Sequence, residues 1–140
     1  MEQYLEFAGN HIWLVSAFLI TLSALIWNLA SNAGGKLNID PLDATLKINH
    51  EDALVLDIRS MKEFSDGHIL NAENVPLNGL GNQLQKLEKY KQRPIIAVCR
   101  SGSRSQAACS TLRKAGFEQV FNLRGGMLAW ENAGQPVKRK

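Results

Sequence analysis

The sequence predicts an α/β domain, with a small parallel sheet flanked by helices on both faces, preceded by one transmembrane helix. Short apolar runs typical of buried strands recur along the chain, and stretches of helical character separate them. Strands joined through helices pair in parallel by right-handed crossovers, which places helices on the faces of the sheet. A long charge-free segment near the start predicts the membrane helix. With 140 residues, the chain has room for one domain and an appendage.

The first segment of the chain is apolar and uncharged. Ile12–Ala30 is 19 residues long, close to the roughly 20 residues that cross a bilayer as a helix. Trp13 and Trp27 would lie about 21 Å apart in that helix, as expected for aromatic residues at two membrane interfaces. A buried core helix would seldom be apolar on every face. A cleavable signal peptide would begin with a positive region, which this leader lacks.

We divide the chain into two parts: residues 1–35 are an N-terminal tail and a single transmembrane helix, with a span of about 12–30, and residues 36–140 are the domain. Charge is distributed unevenly between these two parts. All 16 Lys and Arg residues and 11 of the 13 Asp and Glu residues lie in the second part, which carries a net charge of +5. The positive-inside tendency therefore predicts a cytoplasmic domain. Gly34-Gly35 predicts a short flexible joint. The scattered basic residues, without an aromatic stacking pattern, do not indicate nucleic-acid binding.

The elements of the domain can be predicted in chain order. A short strand at 36–40 leads into a helix that begins at Asp40 or Pro41, since Asp caps helices well and Pro suits their first turn. That helix is predicted to be lined by Leu42, Leu46 and Asn49. Next comes a strand buried on both faces at Ala53–Ile58. The remaining elements are a helical turn at 60–67, an extended piece at 73–76, a helix at 80–90, a buried strand at 93–99, a helix at 104–116, a strand at 117–123 and a last short helix at 125–134.

Cys99 stands at the carboxyl end of a predicted strand, where parallel sheets bind ligands. The residues after it, RSGSRS, can turn backbone N–H groups inward as an anion nest, and the next helix adds its positive end. Gly102 supplies the freedom for that curl. These donors, with Arg100 and Arg104, would hold the thiol as a thiolate. The alternative, a small apolar residue closing a strand, needs neither the arginines nor the glycine.

The other thiol, Cys109, lies in the middle of a helix and is expected to pack, with a role in resolving oxidised Cys99 as an alternative. Two cysteines in a chain that faces the cytosol predict free thiols. No metal site is expected, because the two cysteines are not at ligand spacing from each other or from the three histidines. These are His11, His50 and His68.

The length of the cysteine loop separates two kinds of chemistry. Cysteine-dependent phosphatases place five residues between Cys and Arg, whereas four separate Cys99 from Arg104. The smaller ring suits a persulfide sulfur better than phosphate. A phosphatase or arsenate reductase is therefore the less favoured interpretation.

Three motifs in order resemble the single-domain rhodanese (sulfurtransferase) family. They are the loop CRSGSRS, the block Val55–Leu77 (VLDIRSMKEFSDGHILNAENVPL) and the segment Asn122–Val137 (NLRGGMLAWENAGQPV). Together they span residues 39 to 137. One leading span followed by one such domain is similar to small membrane-anchored bacterial rhodanese-like proteins, some of which lack the cysteine. The resemblance implies a single-pass protein of the bacterial inner (cytoplasmic) membrane.

The resemblance also implies a reaction and its residues. Cys99 would take a sulfane sulfur from thiosulfate or a similar small anionic donor as a persulfide, and pass it to a thiol, a protein cysteine or another nucleophile. No cofactor is required. The donor would be bound by Arg100, Ser101, Gly102, Ser103 and Arg104. A tethered binding module without turnover is the alternative function, and the membrane helix also offers a surface to another membrane protein.

Supporting roles are expected for further motif residues. Asp57 and Arg59 would form a buried pair beside the loop rather than touch substrate. Glu63 would pair with a neighbouring arginine. His68 and Trp130 are expected to pack, since the Gly-His-Ile turn is a packing feature of the family.

Overall fold

The computed structural model describes residues 1–33 and 37–139, and it divides the chain into two units, Met1–Lys36 and Leu37–Lys140. The predicted joint at Gly34-Gly35 and the start of the predicted strand at 36–40 lie outside the described residues. Each unit is considered by itself.

The first unit contains two helices, α1 (Glu2–Asn10) and α2 (Ile12–Ala33). The stretch Ile12–Ala30 has a mean hydropathy of 2.0 and is long and apolar enough to cross a membrane. Hydroxyl groups in α2 donate to carbonyl oxygens of the same helix, which satisfies their polar atoms without water. The predicted N-terminal tail is helical because residues 2–7 are mostly good helix formers, with Glu2 in the first turn.

The second unit is an α/β domain, which confirms the predicted fold class. The strands are β1 (Asn38–Ile39), β2 (Leu54–Asp57), β3 (His68–Ile69), β4 (Glu73–Asn74), β5 (Ile95–Val98), β6 (Val120–Leu123) and β7 (Val137–Lys138). Five of them form a parallel sheet in the order β1-β6-β5-β2-β4. A two-stranded antiparallel sheet joins β3 to β7. The helices are α3 (Pro41–His50), α4 (Met61–Asp66), α5 (Leu80–Leu87), α6 (Ser103–Lys114) and α7 (Gly126–Asn132), with 3₁₀ turns at Leu77–Gly79 and Glu88–Tyr90.

Side chains of the central strands alternate between two buried layers. Leu54 and Leu56 of β2 pack in one layer with residues of α5 and α6, whereas Val55 packs in the other with residues of α3 and α7. Every residue of β2 and β5 is buried, as predicted for strands covered on both faces. The carboxyl ends of these two strands therefore meet at one edge, where Asp57 lies in register with Val98.

The prediction of which face of α3 is buried is wrong. Leu42 and Leu46 are 66% and 48% exposed, and the helix instead packs through Ala44 and Ile48. The small Ala44 side chain, 1% exposed, lets α3 approach the sheet closely, and this contact sets which face is buried. The antiparallel pair of β3 and β7 was not predicted, because two-residue strands carry no periodic signal.

Candidate functional site

The sulfur of Cys99 lies inside a loop that joins β5 to α6. The Gly102 N–H donates to Sγ at 3.0 Å, and the Ser105 hydroxyl lies 3.3 Å from Sγ. Gly102 adopts φ +97°, a left-handed conformation that glycine allows, and a Cβ there would lie 3.2 Å from Gly125 N. Cys99 has no solvent-exposed surface. The loop therefore encloses the sulfur with hydrogen-bond donors.

The loop is held in this shape by the start of α7. The Met127 N–H donates to the Cys99 carbonyl at 2.8 Å, and the Leu128 N–H donates to the Arg100 carbonyl at 3.1 Å. These bonds tie the loop carbonyls to α7. Gly126 permits the approach, since a Cβ there would lie 2.2 Å from the Cys99 carbonyl oxygen. The glycine pair of the closing motif thus shapes the cysteine loop.

The two thiols ionise very differently. Burial alone would raise the pKa of the Cys99 thiol, but hydrogen bonds from the Ser105 side chain and from backbone N–H groups of the loop outweigh it, so this pKa lies below its ordinary value. Burial raises the pKa of the Cys109 thiol to about 11, although Arg113 partly opposes the rise. Cys109 is 1% exposed and packs against the sheet, as predicted.

The two loop arginines have different surroundings. Arg104 forms a bidentate ion pair with Glu63 of α4, with both N–O distances 3.1 Å. Hydrogen bonds from Arg104 lower the pKa of the Glu63 carboxyl to about 2, against a smaller opposing effect of burial. Ser60 caps α4 by accepting from the Glu63 N–H, and its hydroxyl donates to Glu63 Oε1 at 3.2 Å, which helps to fix this carboxylate. Arg100 is exposed and forms no ion pair within residues 1–33 and 37–139.

Asp57 and Arg59 lie at the carboxyl end of β2 as a buried ion pair. Arg59 Nη2 donates to Asp57 Oδ2 at 2.7 Å and to the Gly67 carbonyl at 2.7 Å. The Asn74 side chain donates to the backbone carbonyls of both residues. The pair joins the end of the sheet to the chain after α4. It is a rigid support for the edge at which the cysteine loop lies.

Two further predictions concern packing residues. The His68 ring stacks on Phe64 with centroids 3.8 Å apart, and its Nδ1 donates to the Phe64 carbonyl at 2.8 Å. Trp130 is 3% exposed, and its indole N–H donates to the Pro136 carbonyl at 3.0 Å. Both side chains pack, as predicted. No cluster of three or more His, Cys, Asp or Glu side chains able to hold a metal ion occurs among the described residues.

Sequence reasoning missed the polar groups behind the sulfur. Ser105 Oγ bonds to Asn122 Oδ1, and Asn122 Nδ2 donates to the Gly102 carbonyl at 3.0 Å and to Asn38 Oδ1 at 2.9 Å. Ser105 is 0% and Asn122 4% exposed. The only sequence signal was a polar residue, Asn122, inside the otherwise apolar end of a predicted strand.

The enclosed sulfur of Cys99 thus lies at the carboxyl edge of a parallel sheet, immediately before a helix. The chain belongs to the rhodanese-like domain family, whose model matches residues 40–133.

Known relatives share this domain. The uncharacterized protein YibN of Escherichia coli K12 is 35% identical over 99% of each chain. A sulfurtransferase of Allochromatium vinosum is 38% identical over 62% of this chain and 79% of its own. The crystal structure of a rhodanese-related protein from Thermoplasma volcanium superposes with a TM-score of 0.65 at 30% identity, covering 74% of this chain and 98% of that one.

Proposed function

We propose that the protein is a sulfurtransferase, which moves a sulfane sulfur from thiosulfate or a similar anionic donor to a nucleophile through a persulfide on Cys99. The observation that carries this proposal is the enclosure of Sγ by N–H and hydroxyl donors, which hold its pKa below the ordinary thiol value. The similarity to a protein named as a sulfurtransferase supports it.

The first step loads the sulfur. The Cys99 thiolate attacks the outer sulfur of thiosulfate, an S–S bond forms to Sγ, and sulfite leaves with the electron pair of the broken S–S bond. In the second step a nucleophile such as cyanide or a thiolate takes the terminal sulfur, and Sγ leaves as thiolate. The loop N–H groups from Arg100 to Arg104 would stabilise the negative charge of the persulfide.

The two arginines would serve the donor in different ways. Arg100 is exposed and forms no ion pair among the described residues, so its charge is available to attract an anion. Arg104 is tied to Glu63 and would chiefly fix the loop, with its exposed guanidinium at the rim. Because Cys99 has no exposed surface, the cysteine loop would have to open locally for the donor to reach Sγ.

The α2 helix would anchor this chemistry in the bacterial inner membrane. All 16 Lys and Arg residues follow residue 35, so the positive-inside tendency favours a cytoplasmic domain. A persulfide on Cys99 would then be presented to cytoplasmic acceptors near the membrane surface.

Turnover with thiosulfate and cyanide tests the proposed reaction. The full chain in detergent micelles is expected to release sulfite and thiocyanate in equal amounts. The Cys99→Ser variant should lose this activity, and the matched Cys109→Ser variant should keep it. If the wild-type chain produces no thiocyanate, the tethered binding module is the better account of the domain.

A further inference from the structure

A buried hydrogen-bond chain lies behind the reactive sulfur. It runs from Cys99 Sγ to Ser105 Oγ, from there to Asn122 Oδ1, and from Asn122 Nδ2 to Asn38 Oδ1 on the edge strand β1. The reaction proposed above uses Ser105 only as one of the donors around Sγ, and it does not use Asn122. Both side chains are nonetheless almost completely buried, where a hydroxyl and an amide need partners.

The orientation of the Asn122 amide follows from its neighbours. Its Nδ2 bonds to the Gly102 carbonyl at 3.0 Å, and a carbonyl oxygen can only accept. The amide oxygen of Asn122 must therefore face Ser105, and it too can only accept. Ser105 consequently has to donate its hydroxyl proton for this contact to be a hydrogen bond.

The Ser105 hydroxyl has a single proton and faces competing acceptors. Asn122 Oδ1 is one, Cys99 Sγ at 3.3 Å is the second, and the Gly102 carbonyl at 3.1 Å is the third. A neutral Cys99 thiol can donate to Oγ, which leaves the hydroxyl proton with Asn122. A Cys99 thiolate is a charged acceptor and binds that proton more strongly than a neutral amide oxygen does.

We propose that Ser105 and Asn122 act as an opposed pair that sets the charge state of Cys99. Ser105 turns its hydroxyl proton to Sγ whenever the sulfur is charged, and Asn122 draws the same proton away whenever the sulfur is neutral. Both are positioning residues, because they act on the chemistry only through Sγ. Asn38 holds the Asn122 amide in the orientation that this competition needs.

The pair has a consequence for sulfur delivery, which rests on the proposed function. When cyanide takes the terminal sulfur of the Cys99 persulfide, a C–S bond forms, the S–S bond breaks and its electron pair stays on Sγ. Sγ changes from neutral to charged in this step. Ser105 would turn to it and stabilise the leaving thiolate, so Ser105 favours both release of the sulfur and ionisation of the free thiol, whereas Asn122 opposes both.

The ionisation of Cys99 also responds to the charges around it. Its own loop carries Arg100, α6 carries Arg104 and Cys109, and Glu63 of α4 pairs with Arg104. The end of β2 adds the buried pair of Asp57 and Arg59. The variants that test Ser105 and Asn122 leave all of these groups in place.

The test is the pH dependence of Cys99 alkylation by iodoacetamide on the full chain in detergent micelles, with peptide mass spectrometry to report Cys99 alone. Ser105→Ala should raise the midpoint of the profile by about one to two pH units, since it removes a hydrogen bond to a charged group. Asn122→Ala should lower the midpoint, and it should lower it less in the Ser105→Ala background, where the hydroxyl proton is absent. Ser105→Thr, which keeps a hydroxyl, should have the same midpoint as the wild type. The control Ser110→Ala, on an exposed face of α6, should leave the midpoint unchanged.

Three results would overturn the proposal: an unchanged midpoint in Ser105→Ala, a raised midpoint in Asn122→Ala, or an equal Asn122→Ala shift in both backgrounds. Circular dichroism checks that each variant is folded. If Ser105→Ala does not fold, the sign of the Asn122→Ala shift still tests the proposal, because the opposed pair requires a lowered midpoint and an unchanged or raised midpoint contradicts it. Alkylation needs no sulfur donor, so the outcome is independent of whether thiosulfate loads Cys99. A failure of sulfur transfer and a failure of the opposed pair are therefore distinguishable.

Discussion

Cys99 and Cys109 lie ten residues apart, and their surroundings give the same thiol opposite properties. Cys99 is enclosed by donors that favour its charged form, whereas Cys109 is held among apolar side chains that raise its pKa to about 11. Two neighbouring residues that the sequence analysis did not select, Ser105 and Asn122, complete the setting of Cys99. Burial by itself therefore does not distinguish a reactive thiol from a packing one, and the polar partners do.

The ion pair between Arg104 and Glu63 gives a prediction about pH. The pKa of Glu63 falls from 4.5 to about 2 in the folded protein, so its pairing stabilises the fold above pH 4.5 and is lost as the pH falls through about 2. Both side chains are partly exposed, at 44% and 34%, so the contribution should stay below about 1 kcal/mol.

The measurement compares the free energy of unfolding of the wild-type chain with that of Glu63→Gln across this pH range. The amount by which the wild-type free energy of unfolding exceeds that of Glu63→Gln should be constant from pH 7 to pH 5 and decline toward pH 2. Glu118→Gln, on an exposed carboxylate, is the matched control. A difference in free energy of unfolding that grows as the pH falls would contradict this account of the ion pair.

At the scale of elements, the cysteine loop depends on the glycine pair before α7. Gly126 has φ +56°, and a Cβ there would meet the Cys99 carbonyl at 2.2 Å. Gly134 has a similar φ of +72° but open space around it. The two positions share the backbone cost of a left-handed residue, and only at Gly126 would a side chain also meet the cysteine loop.

Alanine at these two glycines separates the contact from the backbone cost. Gly134→Ala should lose about 1–2 kcal/mol of unfolding free energy in urea. Gly126→Ala should lose more, because the loop or α7 must move, and it alone should alter the alkylation of Cys99. Equal losses in the two variants would show that the contact with the loop contributes nothing.

The elements also show what the sequence can and cannot predict. The apolar runs that became β2 and β5 were recognisable because both faces of each strand are buried, and the loop CRSGSRS was recognisable from its glycine and arginines. The buried face of α3 was predicted wrongly, since hydrophobicity favoured the leucines and close packing favoured Ala44. The bonds from Asn122 to Ser105 and Asn38 join residues 17 and 84 positions apart, and no local pattern reports such contacts.

The whole molecule combines a rhodanese-like domain with a leading helix able to cross a membrane. All 16 Lys and Arg residues follow residue 35, so the positive-inside tendency favours the cytoplasmic domain proposed above. If α2 anchors the chain, the chain should remain in the membrane fraction after washing with high salt, since an apolar helix is not released by screening charge.

Reporter fusions after residue 140 test this orientation. A fluorescent protein that folds only in the cytoplasm should be active, and alkaline phosphatase, which is active only outside it, should be silent. Moving basic residues ahead of α2 should reverse both signals. An active phosphatase on the natural chain would overturn the proposed topology.

The intact mass of the full chain after incubation with thiosulfate tests the central claim most directly. The account predicts the addition of one sulfur atom to the wild-type chain and to Cys109→Ser, its absence in Cys99→Ser, and its removal by cyanide with return of the original mass. A wild-type chain whose mass stays unchanged, or an added sulfur that survives in Cys99→Ser, would contradict a persulfide on Cys99.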